Sequence, residues 1–122
     1  MIQKESILIA ADNSGAKKLR VIGIPQKGRA RIAIIGDVVT VAIRGADPNG
    51  LVKDHAIERA VMVRTRKEVR RSDGSYVRFG DNAGVVIDKQ GNPKGSRVFG
   101  PIAREVKERG FKKIASLAKE IY

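Results

Sequence analysis

Five of the eight residues from Arg64 to Arg71 are basic, and they lie in the stretch VRTRKEVRRSDGSYVRF, residues 63 to 79. Guanidinium and ammonium groups at this density suit one chemistry above others, the neutralisation of phosphate. Arginine offers a planar bidentate fork for it and lysine a point charge. Alternate residues of a strand share a side. Arg64, Arg66 and Arg70 therefore fall on one face of an extended ribbon, and Lys67 and Arg71 on the other. A ribbon charged on both faces has none to bury, and isolated two-stranded ribbons are marginal in water. The pattern predicts a densely anionic partner, with the ribbon ordered fully only against it.

Other basic residues repeat the theme. Lys17, Lys18, Arg20, Lys27, Arg29 and Arg31 occupy a segment with no acidic neighbour. Lys94 and Arg97 form a smaller group, and Arg104, Lys107, Arg109, Lys112 and Lys113 a third. In the last group Glu105 and Glu108 are spaced to pair with Arg109 and Lys112 at i,i+4. The phosphate-contacting candidates are therefore Lys17, Lys18, Arg20, Lys27, Arg29, Arg31, Arg64, Arg66, Lys67, Arg70, Arg71 and Arg78. The 122 residues carry 25 Lys and Arg against 13 Asp and Glu, a net charge of +12. Such a charge repels itself, and binding a polyanion relieves that repulsion. Nucleic acid is the first candidate and an anionic membrane surface the second.

Catalysis finds little footing. His55 is the only histidine, and it lies among polar neighbours. Asp12, Asp47, Asp73 and Asp81 sit in turn-forming sequence, where the carboxylate serves its own backbone. No spacing matches a phosphate-binding loop or a dinucleotide fingerprint. The absence of cysteine excludes thiolate metal sites and thiol nucleophiles. The expectation is a protein without catalytic residues, metal or cofactor. The N-terminal stretch lacks the apolar run of a signal peptide and the Arg-rich character of a transit peptide. No segment approaches the ~20 apolar residues of a membrane span. A soluble, intracellular protein is expected.

The elements that hold these residues read as short strands. SILIAA (6–11), KLRVIGI (18–24), DVVTVAIR (37–44), AIERAVMVRTRKEV (56–69), SYVRF (75–79) and GVVID (84–88) are divided by turn residues. Several short strands at fairly regular spacing argue for a small antiparallel barrel or sandwich. Alternation places Val39, Val41 and Ile43 inward and Thr40 and Arg44 outward, with Leu19 and Val21, Val61 and Val63, and Val85 and Ile87 as equivalent inward candidates. A two-residue turn at Asp73-Gly74 sets Arg71 opposite Tyr76, where the guanidinium can lie over the ring. Beyond a loop at 91–101, IAREVKERG and FKKIASLAKEI read as short helices, the second with Phe111, Ile114, Leu117 or Ala118, and Ile121 on one stripe. The chain reads as one domain, with a barrel and its hairpin (64–79) over 1–90 and loop and helices over 91–122. Its five Phe and Tyr residues are scattered and there is no Trp. That favours recognition of phosphate and shape in a folded RNA over base stacking.

MIQKESILIAADNSGAKK at the start, IGDVV at 35–39, AVMVRTRKEVRRSDGSYVRFGDNAGVVI at 60–87 and PKGSRVFGPIAREV at 93–106 resemble the bacterial large-subunit ribosomal proteins of the L-fourteen family. The resemblance runs nearly end to end. It implies a mainly β fold, a small five-stranded antiparallel β-barrel (OB-like) with a projecting β-hairpin and short C-terminal helices. It implies a structural role in the large ribosomal subunit, on the ribosome in the cytoplasm or an organelle. Direct binding to large-subunit rRNA is implied, with small-subunit rRNA met across an intersubunit bridge. Ribosomal proteins L-three and L-nineteen are implied neighbours. A ribosome-silencing factor is implied on an exposed face, where Ser96, Arg97 and Lys113 match the family's residues. Lys119 replaces a usual proline and suggests a longer last helix, Gly84 replaces a usual alanine or cysteine, and Met62 replaces a β-branched core residue. Asp54 and His55 fall in a stretch that is usually more basic, so no RNA contact is carried onto them. Two other readings stay open, a free RNA chaperone on the same barrel and a basic adaptor for protein partners.

Overall fold

The computed structural model describes residues 2, 5–24 and 32–122. Strands β1 (Ile7–Ala10), β2 (Ala16–Gly23), β3 (Val38–Ala46), β4 (Ile57–Arg64) and β7 (Ala83–Ile87) form a closed barrel in the order β1-β2-β3-β4-β7. Between β4 and β7 the chain makes a small hairpin of β5 (Val69–Arg70) and β6 (Tyr76–Val77), and it ends in α1 (Arg104–Glu108) and α2 (Lys112–Leu117). Four of the barrel's contacts are antiparallel, but β1 and β7 run parallel, with Ile9 opposite Ala83 and Ala10 opposite Gly84. The barrel is therefore mixed rather than antiparallel throughout. Closure leaves it without open edges, which removes the usual template for aggregation.

The alternation of β2 and β3 is reproduced. Leu19, Val21, Val39, Val41 and Ile43 are fully buried and meet Leu8, Met62 and Val86 inside the barrel. β4 and β7 behave differently, because both of their faces are covered. Ala60, Met62 and Val86 point into the barrel, whereas Val61, Val63, Val85 and Ile87 join a second core with Val98, Ile102, Ala103, Val106 and Ile114 of the C-terminal segment. Val61, Val63, Val85 and Ile87 are thus buried, but on the outer face rather than the expected inner one. A strand buried on both sides presents a continuous apolar run, so alternation says nothing about which side is which. At Gly84 a Cβ would stand 3.4 Å from Leu8 Cδ1 and 3.5 Å from Leu19 Cδ1. A Cβ fits there in ordinary contact.

The helices seal this second core with Val106, Ile114 and Ala115. The last helix stops at Leu117, with Ala118 in extended geometry, despite the lysine at 119. The chain is drawn back instead into a parallel bridge between Ile121 and Ile102, and the Tyr122 N–H donates to the Ile102 carbonyl at 2.9 Å. Ile121 accordingly leaves the helical stripe and is half exposed.

Candidate nucleic-acid interface

The hairpin turns through three residues rather than two. Val69 faces Val77 and Arg70 faces Tyr76, while the Arg71 N–H donates to the Ser75 carbonyl at 2.8 Å. The loop is Ser72-Asp73-Gly74, with Gly74 at φ 88°. A turn closed by a glycine in the left-handed region is the common three-residue hairpin connection. The Asp73 carboxylate accepts from the Ser75 hydroxyl at 2.6 Å and the Ser75 N–H at 2.9 Å. Those two bonds, the hydroxyl first, hold its carboxyl below the usual range.

This register moves Arg71 away from Tyr76. Its Nε donates instead to Glu105 Oε1 on α1 at 3.0 Å, and its Nη2 donates to the Tyr122 carbonyl. Val77 is buried, and Val69 and Phe79 pack against the second core. The ribbon does bury a face on its own protein, contrary to the reading from charge alone. Glu105 is engaged by Arg71, and Arg109 donates through Nη1 to Asp37 Oδ1 at 2.8 Å on the segment leading into β3. The expected pairing of Glu105 with Arg109 is replaced by ties between elements.

Arg64 is also taken inward. It is 8% exposed, and its Nε and Nη2 make a two-pronged contact with Asp81 at 2.8 and 3.3 Å. Its Nη1 donates to the carbonyls of Phe99 at 2.8 Å and Pro101 at 3.2 Å. One guanidinium so joins the end of β4, the loop before β7 and the C-terminal segment. A Cβ at Gly100, which has φ 79°, would collide with it. Asp81 is therefore an ion-pair partner, whereas Asp12, Asp47 and Asp73 do serve local backbone.

The remaining candidates stay at the surface. Lys17, Lys18, Arg66, Lys67, Arg70 and Arg78 are exposed. Arg66 is oriented by its Nε donating to the Gly80 carbonyl at 2.9 Å and its N–H to Asn82 Oδ1 at 2.9 Å. It lines a shallow depression with Arg78, Phe79 and Gly80. Lys67 pairs with Glu68 at 3.3 Å, and Arg20 with Glu5 at 3.1 Å. Lys27, Arg29 and Arg31 lie outside the described residues. Ser96, Arg97 and Lys113 are exposed. The Ser96 and Arg97 N–H groups donate to Asn13 Oδ1 at 2.7 and 3.0 Å, which fixes their loop against the one after β1. His55 is exposed at φ 64° in the β3–β4 turn. Among the described residues no group of acidic and histidine side chains is placed to hold a metal ion. Arg44, which sequence reading placed outward without a role, stands exposed on β3 beside Lys18.

What remains is a closed barrel with Lys17, Lys18 and Arg44 exposed on it, and a hairpin whose outward arginines rest on an inward apolar anchor. The family described as Ribosomal protein L14p/L23e matches across residues 1–122. The chain belongs to the ribosomal protein L14p/L23e family. It is 58% identical over 121 residues to the large ribosomal subunit protein uL14 of Aquifex aeolicus, covering 99% of both chains. Proteins of the same description from Aquifex pyrophilus and a Hydrogenobaculum species are 57% and 54% identical, again over 99% of both chains. Such coverage leaves no room for a large insertion, so the barrel, hairpin and C-terminal segment described above are all within the match to the L14p/L23e family.

Proposed function

We propose that the chain is a structural constituent of the large ribosomal subunit that binds rRNA directly and performs no covalent chemistry of its own. The observation that carries this reading is the end-to-end similarity to proteins described as large ribosomal subunit proteins, on a chain of net charge +12. The contacts are electrostatic. Arg66, Arg70 and Arg78 on the hairpin, and Lys17 and Lys18 on the barrel, neutralise phosphates and release counterions. Because the hairpin rests on α1 through Arg71 and Glu105, its outward arginines are positioned before RNA arrives, which lowers the ordering cost of binding. Lys27, Arg29 and Arg31 are counted among the phosphate contacts in this proposal.

On the subunit, we place ribosomal proteins L-three and L-nineteen and small-subunit rRNA at an intersubunit bridge as neighbours. The loop bearing Ser96 and Arg97, with Lys113 of α2, is the proposed docking face for a ribosome-silencing factor. Sedimentation of a tagged copy from lysate, with the large-subunit fraction washed in high salt, tests the reading. Retention at one copy per subunit is the expected result, and release into light fractions would overturn it. At finer scale, the triple change Arg66→Ala, Arg70→Ala and Arg78→Ala should weaken binding to folded rRNA. The slope of log affinity against log salt should flatten by roughly 0.7–0.9 for each lost phosphate contact. An unaltered slope removes the hairpin from the interface.

A further inference from the structure

Lys18 on β2 stands directly opposite Arg44 on β3, and both side chains are exposed on the outer face of the barrel. Directly opposed cross-strand residues bring their Cβ atoms within about 4.5–5.5 Å, and like charges there repel. The neighbouring cation on the same face is treated otherwise, since Arg20 has Glu5 at 3.1 Å. Among the described residues, neither Lys18 nor Arg44 has an ion-pair partner. Asp54 lines the same depression, but its Oδ1 accepts from the Gly45 and His55 N–H groups at 3.0 Å each. Neither cation is needed for packing at these exposed positions, so the fold holds a self-repelling pair on two adjacent barrel strands. Beside it in register, Ile9 faces Lys18 across β1 and β2, and Ile9 and Ile7 are 47% and 42% exposed. Two exposed cations beside exposed apolar side chains suit A-form RNA, whose wide, shallow minor groove is recognised by shape and by 2′-hydroxyl and phosphate contacts.

We propose that Lys18 and Arg44 form a two-cation seat for a single phosphodiester of folded RNA, with Ile9 and Ile7 as the shelf for the adjoining ribose. The seat rests on the rRNA-binding reading above and adds Arg44 and the apolar shelf to the barrel contact given there to Lys18. Binding of a folded large-subunit rRNA fragment is measured across a salt series for Lys18→Gln, Arg44→Gln and the double variant. Each single change leaves the other cation on the phosphate and should flatten the slope by less than one phosphate contact, and the double variant should flatten it by about 0.7–0.9 in all, because both cations share one phosphate. A double variant losing twice that amount overturns the shared seat. Slopes unchanged in all three, with the hairpin triple variant flattened, overturn the seat and leave RNA binding standing. If the hairpin variant is unchanged too, both readings fall. Lys18→Glu supplies a folding-state readout, since it turns the repelling pair into an attracting one. The free protein should melt higher in low salt while its RNA affinity falls. A lower melting temperature would show that the pair does not repel, and would overturn the inference.

Discussion

Arg64 and Arg66 are two positions apart, yet one is closed inside the protein and the other faces solvent. Removing the fork of Arg64 leaves Asp81 and two carbonyls without their donors. Arg64→Lys should therefore destabilise the protein by about 2–4 kcal/mol, because an ammonium cannot reproduce the two-pronged contact. Urea unfolding checks this, and Arg70→Ala should fall within about 0.5 kcal/mol of the unmodified protein. Asp12 offers a second test. Buried just after β1, it accepts from the Ser14 hydroxyl at 2.7 Å and from the Val86 N–H at 3.0 Å, spanning the seam where β1 meets β7. Burial pushes its carboxyl above the usual value of 3.8, against the pull of those hydrogen bonds. A raised folded pKa means that the folded state holds the proton more tightly than the unfolded chain. Its contribution is thus full below 3.8 and declines as pH rises through the folded value. The stability advantage of the unmodified protein over Asp12→Asn should shrink from pH 4 towards pH 7 in urea titrations. The long-range contact of neither residue was legible beforehand. The partner of Arg64 lies 17 residues away, and that of Asp12 lies 74 away. Periodicity carries no signal over such spans.

Among the elements, β2 and β3 were read well because one of their faces is wet and the other dry. β4 and β7 were located correctly but assigned the wrong face for Val61, Val63, Val85 and Ile87, since the C-terminal segment covers what would otherwise be the solvent side. The hairpin was recognised from Asp73-Gly74, but its register hinged on one loop residue, and a one-residue slip changes every cross-strand partner. That slip is what sends Arg71 to Glu105. Glu105→Gln should loosen the hairpin selectively, by about 1.5 kcal/mol of local stability. Hydrogen exchange at the Arg71 and Phe79 amides, which bond to the Ser75 and Thr65 carbonyls, should speed up roughly ten-fold. Barrel amides such as Val41 should be unaffected. If hairpin and barrel accelerate together, Glu105 supports the whole fold rather than this element.

Across the whole molecule, charge is sorted by place. Cations tied to carboxylates (Arg64, Arg71, Arg109, Lys94) join separate elements to one another, whereas Lys17, Lys18 and Arg44 on the barrel and Arg70 and Arg78 on the hairpin are exposed. Composition announced a polyanion partner, but only the fold distinguishes the arginines that build the protein from those that face outward. The outer layer can be tested directly. A chain ended after Arg97 would bare the apolar faces of β4 and β7, and should bind a hydrophobic dye and aggregate where the full chain does not. The parallel contact between β1 and β7 has a consequence for how this protein is made. The first strand of the barrel has no closing neighbour until the fifth has been synthesised, and the covering layer comes later still. A growing chain therefore stays open through most of its translation, and barrel closure and capping fall together near the end of synthesis. Helpers that shield unfinished chains would be needed early, and a stalled copy lacking its last quarter would be a substrate for degradation.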